Sequence, residues 1–146
     1  MTTIQPCKKV ALFLDGPNII RKAFRKPLES VEEAASEYGT ILIKRAYLDK
    51  KAKLELIQAV INAGYEPIVN TYSDDVDTFL VSDAVETICT REDIDLIAIA
   101  TRDADVLPVL YKARSHKKET LIIAPTSGLS IALQKSATYY KELENT

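Results

Sequence analysis

The sequence predicts an α/β fold, a three-layer α/β/α sandwich around a mostly parallel central sheet, formed as a single domain over residues 1–146. Two observations carry this. Near-continuous apolar runs of strand length, such as "KVALFLD" (9–15) and "DLIAIAT" (95–101), recur along the chain. Between them lie stretches with helical spacing, each roughly ten to fifteen residues long, and such alternation makes a parallel sheet covered on both faces.

Taken in order, "KVALFLD" (9–15) is a buried strand that delivers Asp15 into the turn "GPN". "SVEEAASEYG" (30–39) reads as a short helix with a capping box, Ser30 with Glu33, stopping at Gly39. "TILIKRAYL" (40–48) has the β-branched content of a strand. "KAKLELIQAVINAGYE" (51–66) places Leu54, Ile57, Val60 and Ile61 on one helical face and stops at Gly64. "EPIVN" (66–70) is a short strand, and "VDTFLVSDAVETIC" (76–89) is helical in period. After the strand 95–101, "DVLPVLYKARSHK" (105–117) is a helix whose proline falls in the first turn. "ETLIIAP" (119–125) is a strand and "GLSIALQKSA" (128–137) the last helix.

Composition narrows the function classes. Hydrophobic residues at 47% and charged residues at 27% are ordinary for a soluble globular domain. No apolar run approaches the ~20 residues of a membrane span, and "MTTIQPCKK" lacks signal-peptide form, so a cytoplasmic protein without membrane contact is expected. Cys7 and Cys89 show no metal-binding spacing, and Cys89 reads as a reduced core thiol. The single histidine, His116, lies in the basic stretch "KARSHKK" and reads as surface, which disfavours mechanisms built on a Ser-His or Cys-His pair. An aspartyl-phosphate phosphatase needs an Asp two residues before its Asp-Gly acid, and Phe13 stands there. A dinucleotide site needs clustered glycines, and Gly16 stands alone.

The acids carry more. In a parallel sheet, ligands bind beyond the carboxyl ends of the strands. Asp15 follows the first strand; Asp74, Asp75 and Asp77 follow "EPIVN"; Asp103 and Asp105 follow "DLIAIAT". Each alone is an ordinary helix N-cap. Together they place carboxylates at several corners of one edge, where two unit charges about 4 Å apart repel by roughly 4 kcal/mol at an effective dielectric near 20. Oxygen donors without His or Cys suit a hard cation, Mg²⁺ or Mn²⁺, and such an ion is equipment for phosphoryl chemistry. Asp83 falls near the apolar stripe of Val76, Phe79 and Leu80, so it either reaches the site or bonds a backbone group beneath it.

"LFLDGPNI", "DVDTFLVSDAV", "ATRDADVLPVL" and "KKETLIIAP", in that order, resemble the NYN domains of the PIN-like nuclease superfamily, closest to the small stand-alone archaeal and bacterial branch related to LabA. The resemblance spans roughly residues 9 to 137. It implies a PIN-like sandwich and a Mg²⁺- or Mn²⁺-dependent ribonuclease site, with a catalytically weak RNA-binding module as the alternative. Carried over residue by residue, it implies catalytic roles for Asp15, Asn18, Asp77, Asp83, Asp103 and Asp105. Of these, Asp15, Asp77, Asp103 and Asp105 hold metal, and Thr101 braces a neighbouring carboxylate. The chain departs from the family pattern in three places. Ser73, Asp74 and Asp75 stand where a lysine is common, Arg102 and Val106 replace a glycine and an aromatic, and Thr138 stands where relatives tend to carry an Asp.

RNA is the expected partner, and homodimerisation is left open. The net charge is −2, and setting aside the five acids Asp15, Asp77, Asp83, Asp103 and Asp105 leaves +3. "IIRKAFRK" puts Ile19, Ile20, Ala23 and Phe24 on one helical face and Arg21, Lys22, Arg25 and Lys26 on the other, where they would bind phosphates.

Overall fold

A computed structural model of the chain describes residues 8–20, 24–71, 76–125 and 130–143. Six strands, β1 (Lys9–Asp15), β2 (Thr40–Leu48), β3 (Glu66–Val69), β4 (Leu96–Ala100), β5 (Glu119–Pro125) and β6 (Tyr139–Leu143), form one sheet in the order β3-β2-β1-β4-β5-β6. Every pairing is parallel. The helices are α1 (Gly16–Ile19), α2 (Arg25–Ser36), α3 (Leu54–Asn62), α4 (Val76–Thr90), α5 (Leu107–Ser115) and α6 (Ile131–Ser136).

Strand alternation splits the core in two. Val10, Leu12 and Leu14 of β1 pack with Leu28, Val31 and Ala35 of α2 and Val60 of α3. Ala11 and Phe13 face the other way, onto Val76, Leu80, Ala84 and Ile88 of α4 and Val109, Leu110 and Ala113 of α5. The order also sets the site. The chain leaves β1 toward β2 and β3, then crosses back to β4 on the other side of β1. The carboxyl ends of β1 and β4 therefore lie side by side where the winding reverses, the place at which such sheets bind ligands.

Several expectations need correction. The helix expected at 30–39 is α2, which starts at Arg25 and leaves Ser30 mid-helix, so the capping box does not form. The apolar stripe continues back to Leu28, and Pro27 fits the first turn because no intrahelical bond is lost there. The basic run is not one helix: Ile20 is extended, α2 opens with Arg25 and Lys26 exposed, and Arg21 and Lys22 lie outside the described residues. Arg25 Nε is paired with Glu29 Oε2 at 2.9 Å. On α3, Val60 is buried while Leu54 and Ile61 are 69% and 53% exposed. That helix covers only the edge of the sheet and uses the narrower face of Leu56, Ile57 and Val60. Gly64 does end the turn, at φ 89°.

Cys89 is exposed, with Sγ 3.9 Å from His116 Nε2, rather than a core thiol. Ile88 completes the buried stripe of α4, and the next residue rotates about 100° toward solvent. Cys7, Asp74 and Asp75 lie outside the described residues. Strand β6 lies beyond the last helix that the sequence predicts. It pairs along β5 after Thr138 and Thr120 exchange backbone-to-hydroxyl bonds at 3.1 and 2.9 Å. The signal was "TYY", a short β-branched and aromatic run. Among the described residues no helix is long and apolar enough to cross a membrane.

Candidate metal centre

Asp15 ends β1, and because it lies two residues past Phe13 its side chain stands on the α4 face of the sheet. It is buried, 1% exposed. One oxygen, Oδ2, accepts hydrogen bonds from Asn18 Nδ2 at 2.6 Å and Thr101 Oγ1 at 2.9 Å. Proline sets the short turn α1 that brings the Asn18 amide back onto the acid. Gly16 is required by close approach. A Cβ there would lie 2.6 Å from the Tyr47 carbonyl oxygen and 2.7 Å from Leu48 Cδ2.

Thr101 follows β4, is fully buried, and works in two directions. Its hydroxyl oxygen accepts the Asp103 N–H at 3.1 Å and its proton goes to Asp15. Asp103 in turn caps the 3₁₀ turn Ala104–Val106, its Oδ1 accepting the Asp105 N–H at 3.0 Å. The ordinary cap and the candidate ligand are thus the same residue.

Asp77 opens α4 and faces these groups from the helix side. Burial, then hydrogen-bonding contact with Asp103 and the charge of Asp15, push its carboxyl up to about 8. Asp77, Asp103 and Asp105 each offer an oxygen, and these oxygens lie within 4.8 Å of one another. Asp15 adjoins Asp77 but is not one of that trio. Three carboxylate oxygens from two distant segments, with no nitrogen or sulfur among them, fit a hard divalent cation.

Asp83 is not brought into the trio. Its Oδ2 accepts the Tyr47 hydroxyl at 2.6 Å. The partner is a phenol on β2 rather than a backbone group, a contact between residues 36 apart that no local pattern signals. Burial first, then the bond to Asp83, raises the Tyr47 phenol far above its ordinary range, so it remains a donor.

The raised Asp77 carboxyl has a measurable consequence. A group whose pKa is higher when folded stabilises fully below its unfolded value, here 3.8, and loses that contribution as pH rises through about 8. In EDTA the melting temperature of the wild type should therefore fall across this window relative to Asp77→Asn. Parallel melting curves for the two proteins would show that Asp77 is not crowded by its neighbours.

The family model for the NYN domain matches residues 9–144. The chain belongs to the NYN domain family. This is a family of PIN-like nucleases, typically dependent on divalent metal. An uncharacterized protein of Methanocaldococcus jannaschii is 44% identical over 131 residues, covering 90% of this chain and 53% of that protein. The chain thus spans about half the length of that curated relative. A crystal structure of a protein of unknown function from Vibrio parahaemolyticus superposes with a TM-score of 0.81 at 17% identity, covering 99% of this chain and 98% of the other. That likeness concerns the fold. The Asp cluster of this NYN domain stands at the strand ends where the sheet's winding reverses.

Proposed function

We propose that this NYN domain is a Mg²⁺- or Mn²⁺-dependent ribonuclease, a cytoplasmic protein of the LabA-related branch whose whole chain, 1–146, forms the one domain. The observation that carries the reading is the convergence of Asp77 with Asp103 and Asp105, from α4 and from the end of β4, beside the buried Asp15.

In this reading Asp77, Asp103 and Asp105, together with the buried Asp15 beside them, would hold the ion. A bound divalent ion there supplies an activated water and offsets charge developing on the phosphate. The chain's own groups prepare the place. Asn18 and Thr101 both donate to Asp15 Oδ2, which fixes the orientation of the carboxylate. Thr101 also ties the Asp103 backbone to the same acid, fixing the spacing between the ends of β1 and β4. Carboxylates fixed in this way would need little reorganisation to take up a cation. RNA would reach this edge through phosphate contacts, to which Arg25 and Lys26 at the exposed start of α2 are suited, with Arg21 and Lys22 just before them in sequence.

Purified protein incubated with single-stranded and structured RNA should cleave with Mn²⁺ or Mg²⁺ and not in EDTA. RNA bound but uncut with either metal would favour the binding-module alternative. Absence of RNA affinity at low salt would sink both.

A further inference from the structure

Asp77 sits beside Asp103 and Asp15, and once it is ionised, as metal binding needs, like charges drive these groups apart. Asp77 rides on α4, while Asp15 ends β1 and Asp103 lies in the turn just after β4. Repulsion therefore acts to lift the start of α4 away. The apolar stripe of α4 resists this without direction, since packed side chains can slide. A directional tie also runs from α4 to the sheet: the 2.6 Å bond between the Tyr47 hydroxyl and Asp83 Oδ2.

Tyr47 is unusually placed to transmit position. It is 1% exposed and stands in register with Asp15 across the β1–β2 ladder. Its carbonyl abuts Gly16, the residue after Asp15, and its ring contacts Phe13 at 6.3 Å between centroids. Arg45 lies against the phenol from the same strand face and is anchored by Glu66 at 3.1 Å. One residue thus touches the Asp15 turn with its backbone and the Asp77 helix with its hydroxyl.

We propose that Tyr47 and Asp83 are a positioning pair that holds α4, and with it Asp77, at metal-binding distance from the acids of β1 and β4. This rests on the metal reading given above and assigns Asp83 an indirect role through Tyr47. If the tie is lost, the metal-free protein relaxes toward a state with Asp77 withdrawn, and the apparent affinity falls by the fraction still competent.

Mn²⁺ binding to the full chain, measured by calorimetry and by the electron paramagnetic resonance signal of free Mn²⁺, tests this without any activity assay. Tyr47→Phe keeps the ring packing and removes only the donor. It should weaken Mn²⁺ binding by about tenfold, the scale of one net hydrogen bond. Asp83→Asn retains a carbonyl acceptor for the phenol and should bind Mn²⁺ nearly as wild type does. Asp83→Ala should match Tyr47→Phe, and the double variant should be no weaker than either single one. Two results overturn the pairing: unchanged Mn²⁺ affinity in a folded Tyr47→Phe protein, or loss in Asp83→Asn equal to that in Asp83→Ala. If the wild type binds no Mn²⁺, the metal reading fails, and this inference with it. A merely structural tie would lower the melting temperature equally with Mn²⁺ and with EDTA and leave the affinity alone.

Discussion

Asp15→Asn and Asp103→Asn should each reduce metal-dependent RNA cleavage by on the order of a thousandfold, the upper range for removing one preorganised charge-stabilising group. Both substitutions preserve the local bonding. An asparagine carbonyl at position 15 still accepts from Asn18 and Thr101, and at position 103 it still accepts the Asp105 N–H. What disappears is negative charge beside Asp77. In EDTA, therefore, each variant should melt at or above the wild-type temperature, because repulsion is relieved. With Mn²⁺ at a hundred times its dissociation constant, the wild type should gain about 2.7 kcal/mol by mass action and the variants less. Thermal melts with EDTA and with Mn²⁺, alongside cleavage assays, read all of this. Should both variants melt lower in EDTA while Mn²⁺ leaves the wild type unmoved, these carboxylates are structural hydrogen-bond acceptors and nothing more.

The second large effect is structural and comes from a residue with no side chain. In Gly16→Ala the new methyl group would meet the Tyr47 carbonyl oxygen at 2.6 Å and Leu48 Cδ2 at 2.7 Å. The leucine can turn away, but the carbonyl belongs to a strand paired on both sides. The Asp15–Gly16 turn must then move off β2, at a cost of about 1–3 kcal/mol, typical of overpacking a fitted contact. Urea unfolding in EDTA should show a lower midpoint with an unchanged slope. Because the same turn carries Asp15, Mn²⁺ affinity should fall as well. A variant as stable as the wild type would mean that the turn is loosely seated, and would remove the reason for glycine at this corner.

Much of the architecture was legible because burial on both faces leaves a mark in composition. Strands β1, β2 and β5 begin and end where their apolar runs do. Helix boundaries were less legible. Arg25 and Lys26 look like a continuation of the preceding basic run, yet they open α2, since a stripe reaching back to Leu28 extends the buried face. Strand β6 was lost because five residues, "YYKEL", at an edge are only half-buried and carry a mixed pattern. Cys89 misled for a simpler reason: apolar neighbours in sequence are not neighbours on a helix.

The site divides the same way. That Asp15, Asp77, Asp103 and Asp105 belong at one edge followed from the sequence, because each comes directly after a strand or at the start of a helix and parallel strands share an edge. The chain alone also determined the donor chemistry, which is oxygen without nitrogen or sulfur. Which oxygens meet was decided only in three dimensions. The reversal of winding between β1 and β4 sets their ends side by side; the first turn of α4 brings Asp77 to them, while Asp83, further along the helix, meets Tyr47 instead. Asp83 and Tyr47 show why. They are 36 residues apart, and the bond between them exists because two elements pack on one sheet face. Strand and helix periods repeat within a few residues and are written locally, whereas a contact across the sheet depends on how whole elements dock.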